Sequence, residues 1–259
     1  MKNLLQLEFR RLFRAKAFYI CILISLAMIL ISAATTKLLL KTMENADDIA
    51  SAMGAAALQA PTGLTMMKQI GSSSVTLLLA IFVCLFVTED FVGDTIKNVY
   101  SRGYTRTGVY LSKYLVTFVG CIIFVAATAL FSLFIGSVFF DGVGAHGKNY
   151  VGSFLTILLC LAAYFSLFFA ISVSLRKTGG AIAISILGPI IVGLIFSLIS
   201  AIIDKKGLDL SDYWLPNRVA ILQAADVAGK EIWIGCVIAA VVIAASSAVG
   251  YILHKKREA

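Results

Sequence analysis

Charge is the first thing this chain has little of. Of 259 residues, 14% are Asp, Glu, Lys or Arg, against about 25% in an ordinary soluble domain. A disordered chain is excluded, because 60% of the residues are hydrophobic and the mean hydropathy is +0.95, whereas disorder goes with few apolar residues. One soluble core is excluded as well, since a folded surface still needs polar cover. Histidine is scarcer still: His146 and His254 only. Neither lies near Cys21, Cys84, Cys121, Cys160 or Cys236, and none of these cysteines has CxxC spacing. This excludes a zinc signature and a disulfide framework, and the cysteines read as small apolar residues. No span carries a histidine that could activate a serine, and no Asp, Glu, Lys or Arg sits near the centre of any apolar run. A membrane enzyme therefore lacks a nucleophile–base pair. An ion-coupled carrier lacks the mid-membrane charge that coupling needs. There is no strong internal repeat to support an inverted-repeat transporter.

What is present is a series of apolar runs. Six of them cover about 17–40, 70–87, 114–140, 151–175, 181–203 and 232–253, each close to the roughly 20 residues a helical span needs. Lipid offers no hydrogen bonds to an open backbone, so these runs are expected to be helices. The expected fold is all-α: one polytopic membrane domain over residues 1–259. Gly188-Pro189 should kink the fifth span. Ala240, Ala244 and Ala248 form a small-residue stripe suited to close helix packing in the sixth.

Residues 1–16 are amphipathic. Leu5, Phe9, Leu12 and Phe13 share one helical face, and Lys2, Gln6, Arg10 and Arg14 another. This is the pattern of an interfacial helix. The first apolar run is a full span with no cleavage site behind it, so no cleavable signal peptide is expected.

The basic residues set the orientation. With the N-terminus inside, 14 of the 22 Lys and Arg fall on the inner side, and the inner side also holds fewer acids. Both termini are thus expected in the cytoplasm. The net charge of +8 is read as this bias. No aromatic and basic ladder points to nucleic acid. The longest outer loops, 41–69 and 204–231, and the inner loop 88–113 leave no room for a soluble catalytic domain.

Gly142-Val-Gly-Ala-His-Gly147-Lys148-Asn149 nearly matches a phosphate-binding loop. It follows a membrane helix instead of a strand, and Asn149 replaces the magnesium-binding hydroxyl. It reads as a glycine-rich turn, which leaves the chain with no nucleotide site of its own.

The most distinctive stretch runs from Glu89 to Lys113. Thr88 can cap a helix whose first turn holds Glu89 and Asp90. Val92, Ile96, Val99 and Tyr100 would share its apolar face, Gly103 would end it and Thr105 would cap the next helix. The pattern of an acid, Phe, Gly-x-Thr-Ile-Lys-Asn, then Thr-Arg and Tyr-Leu-Ser-Lys resembles the first cytoplasmic loop of ABC type-2 permeases. It is most similar to the small six-span permeases of Gram-positive antimicrobial-peptide, bacitracin-type and sodium exporters. Tyr213-Trp214-Leu215-Pro216 is similar to that family's outer-loop aromatic-Leu-Pro element.

The resemblance implies a bacterial cell-membrane exporter built from two permease subunits, identical or related, and two ATPase subunits. ATP and magnesium would sit on the ATPase and no cofactor on this chain. The leader would be an elbow helix, and 89–100 a coupling helix docked on the ATPase. The resemblance assigns the coupling contact to Glu89, Asp90, Gly93, Thr95, Lys97, Arg102 and Arg106, with Arg176 and Lys177 as a second contact. The substrate would be amphipathic or hydrophobic. The rival readings are a non-transporting immunity or sensor protein that binds a peptide, and a secondary carrier.

Overall fold

Long apolar segments leave the backbone no partner but itself, and helices result. The computed structural model describes residues 2–44, 62–93, 101, 104–140, 142, 144, 149–203, 210–224 and 227–257. Among these are nine α-helices and no strand: α1 (Lys2–Arg14), α2 (Lys16–Glu44), α3 (Gly63–Lys68), α4 (Ser73–Val92), α5 (Arg106–Phe139), α6 (Tyr150–Leu175), α7 (Thr178–Ile203), α8 (Leu215–Leu222) and α9 (Gly229–Arg257). Short 3-10 turns occupy Gln69–Gly71 and Leu210–Tyr213.

Six of the helices are long and apolar enough to cross a membrane: Lys16–Thr42, Ser73–Phe91, Thr107–Phe139, Tyr150–Leu175, Thr178–Ser200 and Gly229–Leu253. The six expected spans are all present, with shifted ends. The helix of the third span, α5, starts at Arg106, well before the apolar run. At 34 residues it is about 51 Å long, against a hydrocarbon core of about 30 Å, so it projects past the core. The loops expected on the outer side carry structure of their own in α3 and α8. Pro216 lies in the first turn of α8, where its missing N–H costs nothing. Helix α7 runs through Pro189 without ending.

The crossings are unequally covered. Helix α6 is the central strut, with Phe165, Phe168, Phe169, Leu161 and Ile157 all buried, and its largest partner is α9. Helix α7 is the least covered crossing, and Leu187, Ile190, Leu194 and Leu198 face outward from it. That is what an apolar lipid environment selects.

The α6–α9 contact corrects one expectation. Ala240, Ala244 and Ala248 are exposed, and the packed face of α9 is Gly235, Ala239, Ser246 and Gly250. A Cβ on Gly235 would lie 2.8 Å from Thr156 Cγ2, so only glycine permits this approach. The Ser166 and Ser246 hydroxyls meet at 2.6 Å across the same interface.

The ends of the helices gather into two faces. On one, α1 meets the end of α4 and the start of α5. There Arg176, between α6 and α7, lies over Phe91, and Tyr110 of α5 packs edge-on against Tyr251 of α9. On the other, Lys37 lies over Phe139. The buried Lys68 there donates to the Ala224 carbonyl at 2.9 Å, and Arg218 pairs with Glu231 at 2.6 Å. Six crossings return the chain to the face on which it began.

Candidate functional site

The face that carries both termini holds the densest set of ionisable side chains buried together. Its floor is α1. Leu4, Glu8 and Leu12 follow at i, i+4 and i+8 and are all buried, while Leu7 and Phe13 are exposed. The amphipathic helix is therefore present but rotated from expectation: Phe13 faces out, and an acid lies in the middle of the packed stripe. Only Ala15 separates α1 from α2.

The last turn of α4 brings the second element. Thr88 is inside this helix, and its hydroxyl donates to the Cys84 carbonyl four residues back at 2.7 Å. It is not a cap, and Glu89 and Asp90 end the second span instead of opening a separate coupling helix. Gly93 closes α4, its N–H donating to the Glu89 carbonyl at 2.9 Å. Successive helical residues point about 100° apart, so Glu89 faces out while Asp90 faces the bundle with 4% of its surface exposed.

Asp90 is clasped between two cations. One carboxylate oxygen pairs with Arg11 of α1 and the other with Lys113 of α5. Lys113 is as buried as Asp90. Glu8 lies 3.7 Å from Arg11 through one oxygen, and its other oxygen is buried without a hydrogen-bond partner. Burial pushes the Glu8 carboxyl above its ordinary value; Lys113 opposes this, Asp90 adds to it and Arg11 opposes it. Two acids and two bases thus join α1, α4 and α5. Pairs this deep stabilise little against an apolar alternative, but breaking one by removing a single partner costs about 3–5 kcal/mol.

Phe91 extends the cluster to a fourth element. Lys113 Nζ lies 5.3 Å and the Arg176 guanidinium 5.2 Å from its ring centroid. Arg176 caps α6 in the left-handed region at φ 55°, its N–H donating to the Ser172 carbonyl at 3.1 Å. Lys177 is exposed.

Of the residues expected to couple, the structure brings Asp90 and Arg176 into one cluster around Phe91. It leaves Glu89, Gly93 and Lys177 on the surface and makes Arg106 the first residue of α5. Thr95, Lys97 and Arg102 lie outside the described residues, as does most of the expected coupling helix. Glu8, Arg11 and Lys113 complete the cluster. In the sequence Glu8 and Arg11 enter only as charges on the inner side, and Lys113 as one more such charge and as the last residue of the Tyr-Leu-Ser-Lys pattern. The spacing Leu4-x₃-Glu8-x₃-Leu12 is the one signal that could have singled out Glu8.

Among the described residues no three His, Cys, Asp or Glu side chains are placed to hold a metal ion. The cluster joins helix ends and presents no nucleophile beside a base.

The fold and this site define a multi-pass membrane protein of six apolar helices. The chain belongs to DUF2705, a family of proteins of unknown function, which matches residues 18–259. Neither the curated proteins nor the solved structures gave a match.

Proposed function

We propose that this chain is the membrane-spanning permease subunit of an ATP-driven exporter of the ABC type-2 kind, working with a separate ATPase and a second permease copy or a related one. The observation that carries the reading is the clasp of Arg11, Asp90 and Lys113. It ties three helices together directly beneath the exposed Glu89, Gly93 and Lys177. A force applied to that surface by a partner moves α1, α4 and α5 as one body. The charge distribution supports the same reading: ionisable groups gather at the helix ends, and the missing source of energy is then a partner on the face with the inward basic bias. The cargo would be amphipathic or hydrophobic, and ATP with magnesium would belong to the partner.

The test is co-expression with an ABC ATPase encoded beside this chain, purification in mild detergent and measurement of ATP hydrolysis. A stable complex is expected. In it, Glu89→Lys combined with Lys177→Glu lowers association or substrate-stimulated hydrolysis while membrane insertion is kept. A chain that purifies without any ATPase, or a double variant with unchanged assembly and hydrolysis, would overturn the reading and favour a non-transporting peptide-binding protein.

A further inference from the structure

At the end of the bundle away from the termini, a cavity of about 740 Å³ opens between α4, α6, α7 and α8. Its size is that of a small-molecule site, about 300–1,000 Å³. Its polar wall sets it apart from a cleft of about 570 Å³ between α4, α5 and α6, whose lining is almost wholly apolar and suits an acyl chain. One wall is hydroxyl- and amide-bearing, with Ser73, Thr76, Ser197 and Gln223, while Ile186 and Leu194 form an apolar wall. Among the described residues no Asp, Glu, Lys or Arg lines it.

The polar wall has a donor to spare. Thr76 spends its hydroxyl hydrogen on its own helix, on the Ser72 and Ser73 carbonyls. The Gln223 side-chain amide nitrogen is buried and has no hydrogen-bond partner among the described residues. It stands there because Gly71 lets α8 come close: a Cβ on Gly71 would fall 2.4 Å from Val219 Cγ1 and 3.1 Å from the Gln223 nitrogen. A buried amide donor without an acceptor is costly, and because Gln223 also lines the cavity, rotation of its terminal amide would bring that donor to an acceptor bound there. The one cation on α8, Arg218, is spent on Glu231.

We infer that this cavity binds an uncharged amphipathic molecule. Its apolar body would lie along α7, and a carbonyl, ether or hydroxyl oxygen would accept from Gln223. A charged head is disfavoured because nothing in the lining compensates a buried charge. The inference does not depend on the transport reading, since it needs no ATPase.

The cavity carries its own probe. Trp214 lines it, stacks on Phe196 with ring centroids 5.7 Å apart and donates from Nε1 to the Pro189 carbonyl at 3.0 Å. The only other tryptophan, Trp233, is exposed. In a Trp233→Phe background, with the purified chain in phosphatidylcholine nanodiscs, Trp214 emission is titrated with three C8 amphiphiles below their micellar concentrations: octyl glucoside, octyltrimethylammonium and octyl sulfate. A saturable response to the glucoside is expected, at least tenfold tighter than to either charged compound. Gln223→Leu weakens it about tenfold, the loss of one neutral hydrogen bond. Ala220→Phe, placed at the exposed rim, keeps Trp214 as the one tryptophan and removes saturation by filling the space. Equal responses to all three headgroups, or a glucoside response indifferent to both variants, would show bulk partitioning and overturn the proposal.

Discussion

Replacing Lys113 with methionine removes the cation of α5 but keeps an unbranched side chain of similar reach, so the packing around Phe91 changes little. Among the described residues, Arg11 is then the cation left paired with the two buried acids, Asp90 and Glu8. The cluster regains neutrality if one acid takes a proton, and the choice falls on Glu8. It is 3.7 Å from Arg11 and has one oxygen unpartnered, while Asp90 keeps its direct pair with Arg11. The work of that protonation bounds the damage. For a carboxyl of ordinary pKa 4.5 held neutral at pH 7, it is about 3.4 kcal/mol, at about 1.36 kcal/mol per unit. Burial has already raised Glu8, and that part of the work is spent in the wild type too. Lys113→Met should therefore cost less than about 3.4 kcal/mol at neutral pH, at the low end of the about 3–5 kcal/mol of a buried pair broken with no way to neutralise.

The same reasoning fixes the pH dependence. In the variant the folded chain holds a proton on Glu8 that the unfolded chain releases above about 4.5. Where the native state binds more protons, stability rises as pH falls. The deficit of Lys113→Met relative to wild type should thus shrink between pH 7.5 and 5 and stop changing below the unfolded value. Adding Glu8→Gln should restore most of the lost stability at pH 7.5, because the Arg11–Asp90 pair is then balanced alone. The assay is unfolding in mixed micelles, followed by circular dichroism, for wild type, Lys113→Met, Glu8→Gln and the double variant at pH 7.5 and 5.5. A neutral Lys113→Met would refute the clasp. A loss equal at both pH values and untouched by Glu8→Gln would refute Glu8 as the group that takes the proton.

Gly235→Leu should separate α6 from α9, because even its Cβ meets Thr156 at 2.8 Å; overpacking of this kind costs about 1–3 kcal/mol. Ser166→Cys with Ser246→Cys should oxidise to a disulfide in the parent, where the hydroxyls are 2.6 Å apart, and fail to do so beside Gly235→Leu; unchanged cross-linking would contradict the contact. For orientation, a fluorescent protein fused after Ala259 should fluoresce while alkaline phosphatase at the same point stays inactive, as the inward bias of 14 among 22 basic residues requires; the reverse pattern would invert the topology.

The six spans were legible because lipid imposes a single strong rule on sequence: apolar side chains over the length of the core. What was not legible turns on partners distant in the chain. Thr88-Glu89-Asp90 satisfies the local rules for opening a helix, with a hydroxyl cap and acids in the first turn. Those rules cannot tell that the Thr88 hydroxyl instead bonds back to Cys84. Nor can they tell that Asp90 is held in the bundle by Arg11 and Lys113, from two other helices. A hydroxyl residue that back-bonds looks the same in sequence as one that caps.

Glu8 shows the same limit from the other side. A binary pattern assigns an acid to the solvent face, and only the cations beside it, Arg11 one turn on in its own helix and Lys113 of α5, make its burial tolerable. In α9 the stripe read from the sequence is that of the regularly spaced alanines Ala240, Ala244 and Ala248. The helix chose the face with Gly235 and Gly250, because the closest approach of two backbones is set by the residue with no Cβ and not by the regularity of the spacing. Each of these choices is made by a pair of elements, so each becomes readable only when both are in place. The residues that carry the candidate site are of this paired kind. A chain can therefore show its membrane architecture plainly in sequence while the side chains that join its helices stay out of view.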